Sequence, residues 1–223
     1  MSLILNIDTS METAGVCLSK DGSTLIMAES RDQKNHSSWL HPTIARLLEE
    51  TGHRARDLQA VAVSAGPGSY TGLRVGMAAA KGLCYALDIP LIAENTLNVM
   101  AFAAREQLAG ADLLCPMIDA RRMEVFTAIY RNDGTTVLPA TAMIIDENSF
   151  AEYLLLHKMS FFGDGSHKCK QLITAPSAAF VSPPYHVGYL GRLSFLRYLQ
   201  QEFTGVVYSE PVYTKEFYTH TKK

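Results

Sequence analysis

Cysteine is sparse and scattered in this chain: Cys17, Cys84, Cys115 and Cys169 are four in 223 residues, and no two form a C-x-x-C pair. That spacing argues against a zinc ribbon and a disulfide framework, and it suits a reducing compartment. Charge of one sign is missing too. Lys and Arg number 20 against 22 Asp and Glu, a net charge of −2, which gives the chain no electrostatic basis for gripping nucleic acid by itself. No apolar run is long enough to span a bilayer, and the first residues do not read as a basic-apolar signal peptide. A cytoplasmic protein without membrane contact is therefore expected. Paired histidines are absent: His36 and His41 stand five apart with Pro42 following, and no pair stands at i, i+4. No metal site is expected.

What is present centres on Ala60–Leu87. Ala60–Ala65 is a short apolar run with valines, the pattern of a strand buried on both faces. Gly66, Gly68 and Gly72 then bracket Pro67, Ser69 and Thr71. From Leu73 to Leu87 small residues (Gly76, Ala79, Ala80) recur at helical spacing, so another backbone can pack very close. A glycine turn opening a helix can cradle an anion, or serve only as a tight strand-to-helix connection. The turn matches neither G-x-x-x-x-G-K-[ST] nor G-x-G-x-x-G.

Length suits one large domain or two small ones, and an internal repeat favours two. Strands are expected at Leu3–Asp8, Ala14–Ser19 and Leu25–Glu29, with Asp21-Gly22 as a hairpin signal. The same plan returns at Leu113–Asp119, Val125–Tyr130 and Thr136–Leu138, around Asn132-Asp133-Gly134. The offset between Asp8 and Asp119 is 111 residues (119 − 8), half the chain. Helices are expected at Ser38–Glu50, Leu73–Leu87, from a Thr96 cap, at Phe150–His157 and at Tyr189–Gln200; short strands at Pro90–Ala93 and Ser160–Gly163; and an extended tail after Pro211. A meander followed by helix-crossed strands, done twice, outlines an α/β, two-lobe actin/Hsp70/sugar-kinase-like (RNase H-like) fold. Lobes of 1–107 and 108–223 are expected, the second smaller and degenerate.

Four segments also resemble one family. Ile7-Asp8-Thr9-Ser10, Gly66–Arg74 with Gly76, Ile118-Asp119-Ala120-Arg121 with Glu124-Val125, and Glu210-Pro211-Val212-Tyr213 are similar to the TsaB (YeaZ) family. One departure is Met123, where members often carry Gly. The resemblance implies an accessory subunit for making N6-threonylcarbamoyladenosine at position 37 of tRNA. It implies a TsaD-like catalytic paralogue held through first-lobe helices, a TsaE-like ATPase, a homodimer when the partner is absent, and only indirect contact with tRNA.

Own chemistry looks incomplete. Asp8 and Asp119 suit Mg²⁺ and phosphate in a true ATPase of this architecture. Here, though, Thr9–Thr13 contains no glycine and places Glu12 where phosphate should lie. The late adenosine loop is reduced to Gly163-Asp164-Gly165. No cofactor of its own is expected; Asp8 and Arg121 are the candidates for a degenerate nucleotide contact completed at the partner interface. Ser69 is not set in G-x-S-x-G, so the protease activity attached to the wider family by name finds no warrant. The helix after the glycine turn leaves little polar surface, which points to burial against another helix pair. The expected contact residues are Trp39, Leu73, Arg74, Met77, Ala78, Lys81 and Tyr85. The expected role is that of an inactive paralogue. The rival readings are an independent ATP-dependent kinase or hydrolase, and a self-associating structural protein.

Overall fold

The computed structural model describes residues 1–32 and 36–214, so the terminal Thr-Lys-Lys, His220 and the His36 side chain lie outside the described residues. Leu3–Asp8 forms strand β1, buried along its length, and its period-two alternation divides two cores. Leu3, Leu5 and Ile7 join Leu40, Leu47, Val63 and Met77 on one face. Ile4 joins Ala62, Ile92, Leu190 and Leu193 on the other, the face that also takes Asn6 and Asp8. Strands β2 (Ala14–Lys20) and β3 (Ser23–Ser30) complete an antiparallel meander. It turns through Asp21 and Gly22, both at positive φ, as an Asp-Gly hairpin requires.

Helix α1 (His36–Glu50) follows, then β4 (Ala60–Gly66) parallel to β1, helix α2 (Tyr70–Leu87), β5 (Leu91–Asn95) and helix α3 (Thr96–Arg105). Burying the valines of β4 contributes roughly 1.5–3 kcal/mol per side chain. The second half gives β6 (Leu113–Asp119), β7 (Glu124–Arg131), β8 (Thr136–Ile144), α4 (Ala151–Leu156), β9 (Met159–Phe162), α5 (Ser166–Cys169) and β10 (Ala178–Phe180). The sheets read β3-β2-β1-β4-β5 and β8-β7-β6-β9-β10. These are one topology repeated, and the duplicated meander of the actin-like architecture is present.

The structure departs from expectation in four places. The α3 cap is Asn95, not Thr96, its side chain accepting from the Leu97 and Asn98 amides. Strand β8 runs on to Ile144 because it pairs with the whole of β7. Strand β10 and helix α5 are too short to leave a periodic signal. The last helix, α6 (Gly188–Leu199), does not stay with the second half; it packs across β1 to β5 and against α3. Asn6 explains its return. The buried Asn6 amide donates to the Ile4 and Cys17 carbonyls and to Ser19 Oγ, and its oxygen accepts from Ser194 Oγ of α6 at 2.6 Å. A buried polar group requires partners, and α6 supplies the last one. Among the described residues no helix is long and apolar enough to cross a membrane.

Candidate functional site

The ends of β1 and β6 carry the two turns that would face phosphate, and the aspartate of each is engaged by this chain's own atoms, Asp8 buried and Asp119 half exposed. Asp8 is 2% exposed. One of its carboxylate oxygens accepts from the Ser10 amide (3.0 Å) and hydroxyl (2.6 Å), and the other from the Tyr185 hydroxyl at 2.5 Å. Burial, followed by the adjacent Asp8 carboxylate, pushes the Tyr185 phenol well above its ordinary value, so it stays a protonated donor. At the second turn, Lys168 Nζ donates to Asp119 (2.5 Å) and to the carbonyls of Arg122 (2.8 Å) and Glu124 (2.6 Å). The Asp119 amide donates to Asp164 Oδ1. The hydrogen bond from Lys168 holds the Asp119 carboxyl below the usual range. An ammonium thus occupies the oxygen cluster where a cation would be sought.

The glycines serve the same closure. A Cβ on Gly68 would lie 2.2 Å from the Ser10 carbonyl oxygen, one on Gly72 2.0 Å from that of Thr9, and one on Gly76 2.3 Å from Thr9 Oγ1. The Ser69 amide donates to the Ser10 carbonyl (2.7 Å), Thr9 Oγ1 donates to the Gly72 carbonyl, and Ser69 Oγ caps α2 by accepting from the Gly72 amide. The glycines admit the Thr9–Ser10 turn, as a tight strand-to-helix connection requires. Gly163-Asp164-Gly165 repeats the device after β9, with Gly163 against the Met117 carbonyl and Gly165 against Ile118.

Between the two turns lies a cavity of about 220 Å³ lined by Asp8, Glu12, Glu29, Arg31, Asp164 and Tyr185, among others. Small-molecule clefts commonly hold ~300–1,000 Å³, and four carboxylates facing one guanidinium disfavour a polyphosphate. Arg121 does not line this cavity. It is exposed, with its amide on Asp119 Oδ1. Arg121 and Arg122 supply the positive φ values of the second turn, and Met123 lies beyond them with its carbonyl accepting from the Ile145 amide.

Of the residues expected at a partner face, Ala78 and Arg74 are exposed and Tyr85 is 83% exposed. Trp39 is half-buried against the first-sheet core. Two expectations are corrected: Leu73 and Met77 are buried, because the face of α2 that lies on the sheet is the one carrying its longer apolar side chains. Lys81 is half-buried, with Nζ donating to the Val207 (3.1 Å) and Ser209 (2.7 Å) carbonyls. Among the described residues, no group of three His, Cys, Asp or Glu could hold a metal ion.

The family model of TsaD, tRNA N6-adenosine threonylcarbamoyltransferase, matches residues 29–199. The Bacillus subtilis tRNA threonylcarbamoyladenosine biosynthesis protein TsaB is 38% identical over 128 residues, 57% of this chain and 55% of that protein. The chain belongs to the family this model describes, among its TsaB (YeaZ) members. The matched region spans little more than half the length of the first curated TsaB relatives. A Pseudomonas aeruginosa structure described as similar to the peptidase YeaZ superposes with a TM-score of 0.84 at 25% identity, covering 96% of this chain and 100% of that one. Lmo2764 of Listeria monocytogenes, described as an N-acetylmannosamine kinase, shares the fold alone (TM-score 0.52, 13% identity, 90% of this chain and 99% of that one).

The TsaB-like segments account for the glycine turn and for both aspartates. Two closing residues escaped the sequence reading. Tyr185 follows Pro183-Pro184 in a segment without periodicity, and Lys168 sits in a four-residue helix; neither carries a local signal of its distant partner. Tyr185→Phe is expected to leave a buried Asp8 oxygen without its donor and to lower stability by about 1–3 kcal/mol at neutral pH. The folded phenol has the higher pKa, so its contribution is complete below pH 10.0 and declines as pH rises past that value. Thermal melts of both proteins from pH 7 upward check this. The gap should be full at pH 7 and narrow on the alkaline side.

Proposed function

We propose that this chain is a non-catalytic subunit that docks on a TsaD-type threonylcarbamoyltransferase and activates it in making tRNA threonylcarbamoyladenosine. The observation that carries this reading is the solvent face of α2. Thr71, Ala78, Gly82, Tyr85 and Ala86 are exposed there, with Tyr70 and Arg74 exposed toward the helix start, a row of mostly small residues with aromatics at both ends. Small residues let another helix approach closely, and aromatic anchors are enriched at interface centres.

The closed turns support the non-catalytic part. A kinase of this architecture needs its first aspartate free for Mg²⁺, and Asp8 is committed to Ser10 and Tyr185. Neither the four cysteines nor Ser69 is set up as a peptidase nucleophile. Burial pushes the thiols of Cys17 and Cys84 up to about 11 and that of Cys115 up to about 12, and raises Cys169 as well. Ser69 Oγ accepts from the Gly72 amide as the α2 cap. In this reading the chain acts in the cytoplasm, a TsaE-type ATPase joins the complex, and tRNA is reached through the transferase. A nucleotide, where one is bound, sits at the shared interface, and a second copy takes the α2 face when the transferase is absent.

The test is reconstitution of tRNA threonylcarbamoylation from transferase, TsaE-type ATPase and a threonylcarbamoyl-adenylate source, with and without this chain. The expected outcome is product only when it is present, with no ATP turnover by the chain alone. Equal product without it would sink the proposal. ATP turnover abolished by Asp8→Ala would instead favour an independent ATPase.

A further inference from the structure

The segment after α6 is fastened along α2. The Thr204 amide donates to the Leu91 carbonyl, and the Val212 amide to the Ala65 carbonyl at 2.7 Å. Val206 tucks against the first-sheet core. Gly205–Ser209 closes one turn, with the Ser209 amide and hydroxyl both donating to the Gly205 carbonyl, and Lys81 ties the same turn to α2 through the Val207 and Ser209 carbonyls. Further on, Arg74 Nε donates to the Tyr213 hydroxyl at 3.0 Å, and the Tyr213 ring packs on Tyr70 at 5.4 Å between centroids. Gly66 is required beneath it, since a Cβ there would lie 2.6 Å from the Val212 carbonyl oxygen. Two motifs 144 residues apart (210 − 66) thus form one surface.

This strap has a fixed backbone and an unburied crest: Tyr208 is 92% exposed and Val207 70%. Ordering a segment costs conformational entropy, and the strap recovers little of it from its two outermost apolar side chains. Their position beside the exposed row of α2 explains the arrangement. We infer that the strap is the second half of the docking surface, presenting Tyr208 and Val207 beside Tyr85 to an apolar, uncharged face of the transferase subunit. Lys81 acts as a positioning residue that holds the strap in place. The inference rests on the α2 reading above and adds the strap to it.

Charge and area both favour that occupant. Arg74 and Lys81, the cations of this side of α2, donate to the Tyr213 hydroxyl and to strap carbonyls, and the strap's Glu210 carboxylate acts on Arg74 and offsets its charge, so this side carries little net charge for an acidic partner to match. Tyr70, Tyr85, Val207, Tyr208, Val212 and Tyr213 together expose on the order of 700 Å², taking roughly 200 Å² for a whole tyrosine. That approaches the ~800 Å² per partner of a standard interface and exceeds what a monomer commonly leaves as one patch. The α2 row alone, mostly alanine and glycine, falls well short.

Tyr208→Ser, Lys81→Met and Tyr85→Glu in the full chain test this by calorimetric titration with the purified transferase subunit. Tyr208→Ser is expected to keep the wild-type melting midpoint and weaken association by about tenfold or more, the scale of losing an aromatic anchor. Lys81→Met keeps the aliphatic stem and loses the two strap bonds; it is expected to speed amide exchange across 205–213 and weaken association to a similar extent. Wild-type affinity in Tyr208→Ser while Tyr85→Glu fails to bind would overturn the strap inference and leave the α2 reading standing. Wild-type affinity in all three would overturn both.

Discussion

Gly72→Ala is expected to destabilise the protein by about 3 kcal/mol or more, at or above the upper end of the usual cost of forcing a side chain into occupied space. The added Cβ would lie 2.0 Å from the Thr9 carbonyl oxygen, and that oxygen has nowhere to retreat. Thr9 is fully buried, its hydroxyl is bound to the Gly72 carbonyl, and the next carbonyl, Ser10, accepts from the Ser69 amide. The clash therefore sets α2 against β1, two elements that share the largest core of the first half. At ~2–4 °C per kcal/mol for a chain of this size, thermal unfolding should shift down by roughly 10 °C or more. Gly82→Ala provides the opposite sign within the same helix. Nothing lies within 4 Å of a Cβ there, so helix propensity alone decides, and a gain of about 0.5–1 kcal/mol is expected. A small effect at Gly72 would mean that the Thr9 turn yields, and the account of the glycine motif given above would fail.

Neighbouring positions on α2 should separate stability from association. Met77 is 3% exposed, in a cluster with Ile7, Leu40 and Val63, and Met77→Lys places an ammonium there with no acidic partner in that cluster. Its expected cost is about 4 kcal/mol or more, mainly desolvation of the charge. Ala78 is exposed, and Ala78→Glu should change stability by no more than ~0.5 kcal/mol while introducing an unpaired carboxylate at the proposed interface. Denaturant titration and transferase binding on both variants distinguish the two. Met77→Lys should shift the unfolding midpoint, and Ala78→Glu should abolish binding with the midpoint kept. A stable Ala78→Glu that still binds would place the interface elsewhere.

Local pattern carried much of the fold. Leu3–Asp8 and Leu113–Asp119 were expected as strands and are observed with those bounds, because an apolar run ending in an acid at a polar turn has few other solutions. The repeat offset anticipated two sheets of one topology for the same reason: the pattern that builds a meander once builds it again. Helix α2 was legible, but not the orientation of its faces. Gly, Ala, Leu and Met lie on several sides of it, so periodicity alone could not say that Leu73 and Met77 point inward while Tyr85 points out.

The chain's own sequence determined most of its strands and helices (though not β10 or α5), where backbones come closest, and that the Thr9–Thr13 turn lacks glycine. These are local consequences of side-chain size, polarity and period. Tertiary structure alone decided what closes each turn and what borders α2. Tyr185 reaches Asp8 across 177 residues, Ser194 reaches Asn6 across 188, and Lys81 reaches Ser209 across 128. Each is a single hydrogen bond between distant segments. A hydrogen bond leaves no periodic trace in sequence, since its geometry exists only once the distant segments are packed together.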